Sequence, residues 1–332
     1  MKIAIVKLSA LGDIVHAMVV LQFIKNHYPK IEIDWVVEKD FKELLESHPD
    51  INKVHVVNIK NAKKKKSIYL LLNELRRVRK FGPYDLVIDL QGLIKSALIS
   101  RMIPSDKTFG FDKYSARESL AANFYNQKFN LDYEKNIVER NVALISFALK
   151  IPIIDDNILK KISFLFSIRT YFFKTISSFK KNILLIPGAS FKSKCYPVEK
   201  FAEVVTKIDA NYLIIWGNQK EKIMADKIKV LSPKVIICEK LSLDALISLI
   251  SQVDLVLGSD TGPTHMAWAL NKSSITLFGS TPGYRNSYIT KNNRIIESNS
   301  EVNPYKIDKN DYSIEDIDVQ EIVQVYDDLL KL

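Results

Sequence analysis

The stretch Asp254-Leu-Val-Leu-Gly-Ser-Asp-Thr-Gly-Pro-Thr-His-Met266 runs as a short apolar strand, breaks into small, donor-rich residues and opens a helix. Strand, tight turn and helix in that order form the repeating unit of a parallel α/β sheet. Thr261, Gly262 and Thr264 let a ligand come close to the backbone, and Pro263 suits the first helical turn. Free N–H groups in such a turn carry the positive end of the helix dipole, which is the layout of an anion site. A phosphorylated ligand fits it. An ordinary strand-to-helix connection with Asp260 as N-cap is the alternative reading.

Outward from this stretch the same unit recurs. Strands are expected at Ile3–Leu8, Ile33–Val37, Lys53–Val57 and Leu86–Leu90, with helices from Ile14 to His27 and from Ser67 to Lys80. The pattern restarts after a Phe- and Ser-rich stretch around Phe164–Lys180. Further strands are then expected at Asn182–Ile186, Tyr212–Trp216, Val235–Ile237, Leu255–Leu257 and Ser274–Phe278. Two doubly wound α/β sheets in tandem follow, with a cleft between them as the expected home of a ligand. Ser313–Leu332 reads as a terminal helix capped by Ser313, ahead of Asp316.

Composition sets the bounds. A chain of 332 residues, 47% hydrophobic and 26% charged, is long enough for two domains that each bury a core. Only Cys195 and Cys238 occur, far apart, so neither a disulfide framework nor a cysteine metal site is expected, and a reducing cytoplasm fits. Met1–Lys7 is too quickly interrupted by charge for a signal peptide, and no apolar run reaches spanning length, so a soluble chain is expected. A net charge of +10 favours an acidic partner: nucleic acid, an anionic lipid surface or a phosphorylated substrate. Interleaved aromatics that would support nucleic-acid readout are missing.

Several strand-end loops carry chemistry. Ser9-Ala-Leu-Gly-Asp-Ile-Val-His16 puts Gly12 and Asp13 at the carboxyl end of the first strand, where open α/β sheets bind ligands. Asp13 is a candidate general base or the N-cap of the next helix. With one glycine the loop is no dinucleotide fingerprint, and no P-loop follows any strand. In Leu185-Ile-Pro-Gly-Ala-Ser-Phe-Lys-Ser-Lys-Cys-Tyr-Pro197, Ser190, Lys192 and Lys194 are candidates to neutralise a phosphate leaving group. Glu221, after Trp216-Gly217, is suited to accept from ribose hydroxyls. Asp316-Ile-Asp318 matches an Asp-x-Asp metal pair, but it lies in the first turn of the terminal helix with no strand before it, so no metal site is assigned there. His27, His48 and His55 show no ligand spacing.

Taken together, Lys7-Leu-Ser-Ala-Leu-Gly-Asp-Ile-Val-His16, Asp89-Leu-Gln-Gly-Leu-Ile-Lys-Ser96, Ala116-Arg-Glu118, Val138-Glu-Arg140, Lys194-Cys-Tyr-Pro197, Trp216-Gly217 with Glu221, and Ser259-Asp-Thr-Gly-Pro-Thr-His265 resemble the bacterial lipopolysaccharide heptosyltransferases, most of all their type I branch. The resemblance covers nearly the whole chain. It implies the GT-B glycosyltransferase fold: two Rossmann-like domains facing across a cleft. Residues 1–168 would bind acceptor and residues 169–312 the ADP-sugar, with helix 313–332 packing back toward the N-terminal domain. The implied reaction moves L-glycero-D-manno-heptose from ADP-heptose to the Kdo of Kdo-lipid A, with inversion and no metal. A type II enzyme acting on the first heptose, and a soluble nucleotide-sugar epimerase of the same fold, are the alternatives.

The same resemblance implies the roles. Asp13 is the base and Lys194 the cation at the departing diphosphate. Ser190, Lys192, Glu221, Asp260, Thr261, Gly262 and His265 would hold the donor, while Ser9, Gly12, Lys60, Lys63, Lys64, Gln91 and Arg117 would hold the acceptor. A monomer at the cytoplasmic face of the inner membrane is implied. The chain departs from the pattern in two places: Gly188-Ala-Ser-Phe-Lys-Ser-Lys-Cys-Tyr-Pro197 lacks the paired Thr, the Arg and the Trp of its relatives, and Lys60 and Lys63–Lys66 stand where they carry arginines. Lysine acts there as a point charge without the guanidinium fork.

Overall fold

The computed structural model describes residues 1–330 and divides into two units, Met1–Phe164 and a second beginning at Leu165. In the first unit six strands form one sheet: β1 (Lys2–Val6), β2 (Glu32–Glu38), β3 (Lys53–Val57), β4 (Tyr84–Asp89), β5 (Ser105–Phe111) and β6 (Gln127–Phe129). Their order is β3-β2-β1-β4-β5-β6, all parallel. Ile3, Ala4, Ile5 and Val6 are fully buried. A strand covered on both faces in this way belongs at the centre of a sheet with helices on either side. The sheet grows in opposite directions from β1 and β4, so the space beyond their carboxyl ends is a topological switch point.

The second unit repeats this plan with β7 (Asn182–Ile186), β8 (Asn211–Ile214), β9 (Ile236–Ile237), β10 (Leu255–Ser259), β11 (Ser273–Phe278) and β12 (Asn293–Glu297). The order is β12-β11-β10-β7-β8-β9, again parallel, and the switch point lies between β10 and β7. Gly258 is required there. It pairs with Ile186, and a Cβ on it would lie 2.7 Å from Ile186 Cβ and 2.8 Å from the Ile186 carbonyl oxygen.

The expected α/β class and tandem sheets stand, with local corrections. β5, β6 and β12 are edge or near-edge strands whose polar residues hid them from a search for apolar runs. The span Ile14–His27 is two successive helices, Leu11–Met18 and Val20–His27. Ser313 starts a 3-10 turn, Ser313–Asp316, and the terminal helix begins only at Val319, with Asp318 Oδ1 accepting from Gln320 N. Lys331 and Leu332 of the expected span lie outside the described residues. That helix packs on the second unit's core: Val319, Ile322 and Tyr326 are buried with Phe201, Leu277 and Ile296. No helix among the described residues is long and apolar enough to cross a membrane.

Candidate active site

At the switch point of the first sheet, the loop after β1 is held by the loop after β4. Gln91 Oε1 accepts from the amides of Leu8 (3.0 Å) and Ser9 (3.1 Å). Lys7 Nζ donates to the Leu90 carbonyl at 2.9 Å, and Lys95 Nζ donates to Ser9 Oγ at 3.2 Å. Beneath them Asp89 is fully buried and anchors the turn, accepting from Gln91 N, Gly92 N and, at 2.7 Å, Tyr125 OH. Burial pushes the Asp89 carboxyl up despite these bonds, which favour its charged form.

Asp13 occupies the third position of helix Leu11–Met18 and accepts from Ala10 N at 3.2 Å. Ala10 is the N-cap residue, so the N-cap reading of Asp13 is corrected; the half-buried carboxylate lies within the first turn beside Gly12. Of the other expected acceptor groups, Gln91 has its amide oxygen committed to the Leu8–Ser9 backbone. Lys60 Nζ is 2.6 Å from Asp40, and its backbone N–H donates to buried Glu38, whose carboxyl burial pushes up. Lys63, Lys64 and Arg117 are exposed.

The second switch point gathers charge. Lys194, in the 3-10 turn Lys192–Lys194 after β7, places Nζ 2.6 Å from Asp260 Oδ2 in the loop after β10. Asp260 Oδ1 is 2.9 Å from His265 Nε2, and Thr281 Oγ1 donates to Oδ2 at 2.9 Å. Burial alone would raise the Asp260 carboxyl, but the Lys194 charge and the His265 bond overcome it and hold it far below the usual carboxylate range. A second tie joins the loops, Tyr196 N to Ser259 Oγ at 3.3 Å, and Tyr196 OH donates to Ile317 O at 2.9 Å.

The helix Gly262–Ala269 starts here with Thr261 as N-cap, so the alternative with Asp260 as N-cap is also corrected. Its first amides to find a backbone acceptor are those of Thr264 and His265, both on Thr261 O. The amides of Thr261 and Gly262 lead the helix as donors for an anion. One N–H of the Lys194 ammonium serves Asp260, which leaves two for a ligand.

Glu221 spans from Gly217 N (2.6 Å) to Asn218 Nδ2 (2.6 Å), and its Cγ is so close to Gly188 that a Cβ there would come within 2.3 Å. Ser190 is exposed. Lys192 is exposed too, with Nζ 5.6 Å from the Tyr312 ring centre, away from Asp260's carboxylate. Sequence reading missed Thr281 and Asn286, which close on Asp260, and Lys95, which meets Ser9. The signal for Thr281 was present: Phe278-Gly-Ser-Thr-Pro282 is another strand ending in small, donor-rich residues.

In the second unit, a buried lysine beside a helix N-terminus is an arrangement that suits binding of a phosphorylated ligand. The model of glycosyltransferase family 9 (heptosyltransferase) matches residues 71–312. The chain belongs to that family. Among curated relatives of this family 9 glycosyltransferase, the lipopolysaccharide heptosyltransferase 1 of Campylobacter coli is 40% identical over 99% of both chains. That of Escherichia coli K12 is 28% identical over 87% of this chain and 91% of its own. In fold, the family member resembles the E. coli heptosyltransferase WaaC solved with ADP, with a TM-score of 0.80 at 24% identity, covering 99% of this chain and 100% of that one. A UDP-N-acetylglucosamine 2-epimerase from Listeria monocytogenes shares the fold more distantly, with a TM-score of 0.52 at 12% identity over 99% and 90% of the chains.

Proposed function

We propose that this lipopolysaccharide heptosyltransferase moves L-glycero-D-manno-heptose from ADP-heptose to the Kdo of Kdo-lipid A, with inversion and without a metal. The cluster of Lys194, Asp260 and His265 beside the Thr261 and Gly262 amides is the observation that carries it. It offers fixed positive charge to a diphosphate, the role a divalent cation fills in other nucleotide-sugar transferases. The likeness to named type 1 enzymes supports the choice of acceptor.

In this reading Asp13 takes the proton of the acceptor hydroxyl as its oxygen bonds to the anomeric carbon. The bond from that carbon to the diphosphate breaks on the opposite side, and ADP leaves with its charge held by Lys194. Glu221 accepts from the ribose, Ser190 and Lys192 line the donor loop, and Asp260 and His265 orient Lys194. Ser9, Gly12, Lys60, Lys63, Lys64 and Arg117 serve the phosphorylated, acidic acceptor, and Gln91 acts through the Leu8–Ser9 backbone that it holds. The enzyme works as a monomer at the cytoplasmic face of the inner membrane.

The test is ADP release from ADP-heptose in the presence of a chelator, with Kdo-lipid A, heptosylated Kdo-lipid A or no acceptor. Release only with the unheptosylated acceptor is expected. Preference for the heptosylated one would reassign the enzyme to the second heptose. Loss of all activity to the chelator would overturn the metal-free mechanism.

A further inference from the structure

The lysine run is followed directly by an exposed apolar helix face. Helix Ile59–Lys64 ends in the run, Lys66 adopts left-handed backbone with φ of 48°, and helix Ile68–Val78 starts with Ser67 Oγ accepting from Leu70 N. On that helix Val78 is buried and Leu71 and Leu75 half-buried, which defines the side packed on the first unit. Ile68, Tyr69 and Leu72 lie on the adjoining, solvent-facing arc, 75%, 66% and 46% exposed. At 3.6 residues per turn they share an arc of about 100° with Arg76 and Arg79.

The neighbouring charges are one-sided. Glu74 is bound internally, accepting from Asn58 N and Arg77, and Asp40 is taken by Lys60. Among the described residues Lys63, Lys64, Lys65 and Lys66 have no carboxylate within ion-pair distance, and neither do Arg76 and Arg79. An exposed apolar stripe is unfavourable in water, and unpaired cations repel one another. A surface that is both apolar beneath and anionic above relieves both.

We propose that helices Ile59–Lys64 and Ile68–Val78 form a docking face for an anionic phospholipid bilayer. Ile68, Tyr69 and Leu72 enter the headgroup boundary, while the lysine run and Arg76 and Arg79 meet lipid phosphates. This rests on the proposed lipid-linked acceptor only for its purpose. Binding to lipid is a property of the face alone.

The experiment is co-sedimentation of the full chain with phosphatidylglycerol-containing or purely phosphatidylcholine vesicles, with no acceptor present. Transfer to a de-acylated, water-soluble acceptor is measured in parallel. The intact chain is expected to partition to the anionic vesicles alone. The triple variant Ile68→Ser, Tyr69→Ser, Leu72→Ser should lose about tenfold or more in partitioning while its melting temperature and soluble-acceptor transfer are unchanged. Lys65→Ala with Lys66→Ala should lose about fivefold per residue.

Triple-variant binding equal to that of the intact chain, or equal binding of the intact chain to both vesicle types, would sink the docking face. So would an intact chain that stays in the supernatant, even one that transfers heptose. A chain that binds anionic vesicles but transfers to no acceptor supports the face and removes the proposed reaction.

Discussion

Lys194 Nζ lies 2.6 Å from Asp260 Oδ2 across 66 residues of sequence, in a pocket where each residue is under 10% exposed. Neither charge has bulk water to fall back on, so each depends on the other. Asp260→Asn is therefore expected to destabilise the protein by roughly 3–5 kcal/mol and to release His265 and Thr281. Calorimetric melting would check this; an unchanged transition would mean that Lys194 finds another partner.

Lys194→Ala should depress ADP release more than Lys192→Ala. Lys194 is fixed beside the Thr261–Gly262 helix start, whereas Lys192 lies over Tyr312 in solvent. The opposite order would move the phosphate role to Lys192.

Asp13→Ala should reduce kcat by about 100-fold or more while ADP binding, read by titration calorimetry, stays near that of the intact protein. Its bond from Ala10 N, at 3.2 Å, closes a helix turn that other residues also support, so the loss is expected in chemistry, not in folding. Full turnover in the variant would remove Asp13 as the base.

Gln91 is expected to act as a positioning residue. Gln91→Ala removes the acceptor shared by Leu8 N and Ser9 N and should lower kcat more than it raises KM for the acceptor. Gln91→Glu keeps a carboxyl oxygen in the same place and should restore part of the rate. No rescue, together with a purely KM effect, would return Gln91 to direct acceptor contact.

Two glycine substitutions should separate stability from donor binding. Gly258→Ala drives a Cβ against the Ile186 backbone oxygen at 2.8 Å, neither of which can yield, so a cost of about 1–3 kcal/mol in thermal melting is expected. Gly188→Ala meets the flexible Glu221 side chain instead and should displace it from Gly217 and Asn218. Its signature is a raised donor KM at nearly unchanged melting temperature.

Acid stability should show the buried His48. Burial pushes its pKa down from the ordinary histidine value of 6.5 to about 4, while its Nδ1 accepts from Asp50 N. The unfolded chain binds this proton more readily, so its contribution is complete above about pH 6.5 and falls as pH drops toward 4. The loss amounts to about 3 kcal/mol at one pKa unit per 1.4 kcal/mol. His48→Asn should flatten the melting temperature against pH over that window; an identical slope would rule His48 out.

Much of this protein was legible in its sequence because the information is local. Apolar runs such as Asn182–Ile186 and Lys53–Val57 match their strands end to end, and each ends in small or donor-rich residues at the carboxyl edge of its sheet. The edge strands escaped for a physical reason: Ser105–Phe111 and Gln127–Phe129 face solvent in part and owe their extension to neighbours already in the sheet. The terminal helix was read as starting six residues early because Ser313 and Asp318 both look like caps, and it is Asp318 that accepts from Gln320 N at the start of the α-helix.

The sequence by itself determined two parallel α/β sheets and the loops that carry chemistry, since strand period, turn residues and helix starts act within a few residues of one another. Tertiary structure alone decided that Lys194 and not Lys192 meets Asp260, that Gln91 grips the Leu8–Ser9 backbone, and that Ile68, Tyr69 and Leu72 stand exposed. Those outcomes depend on the register that sets β7 beside β10 and β4 beside β1, and on what packs over each helix. A register is the joint result of many burial contacts, which no single segment of the chain encodes.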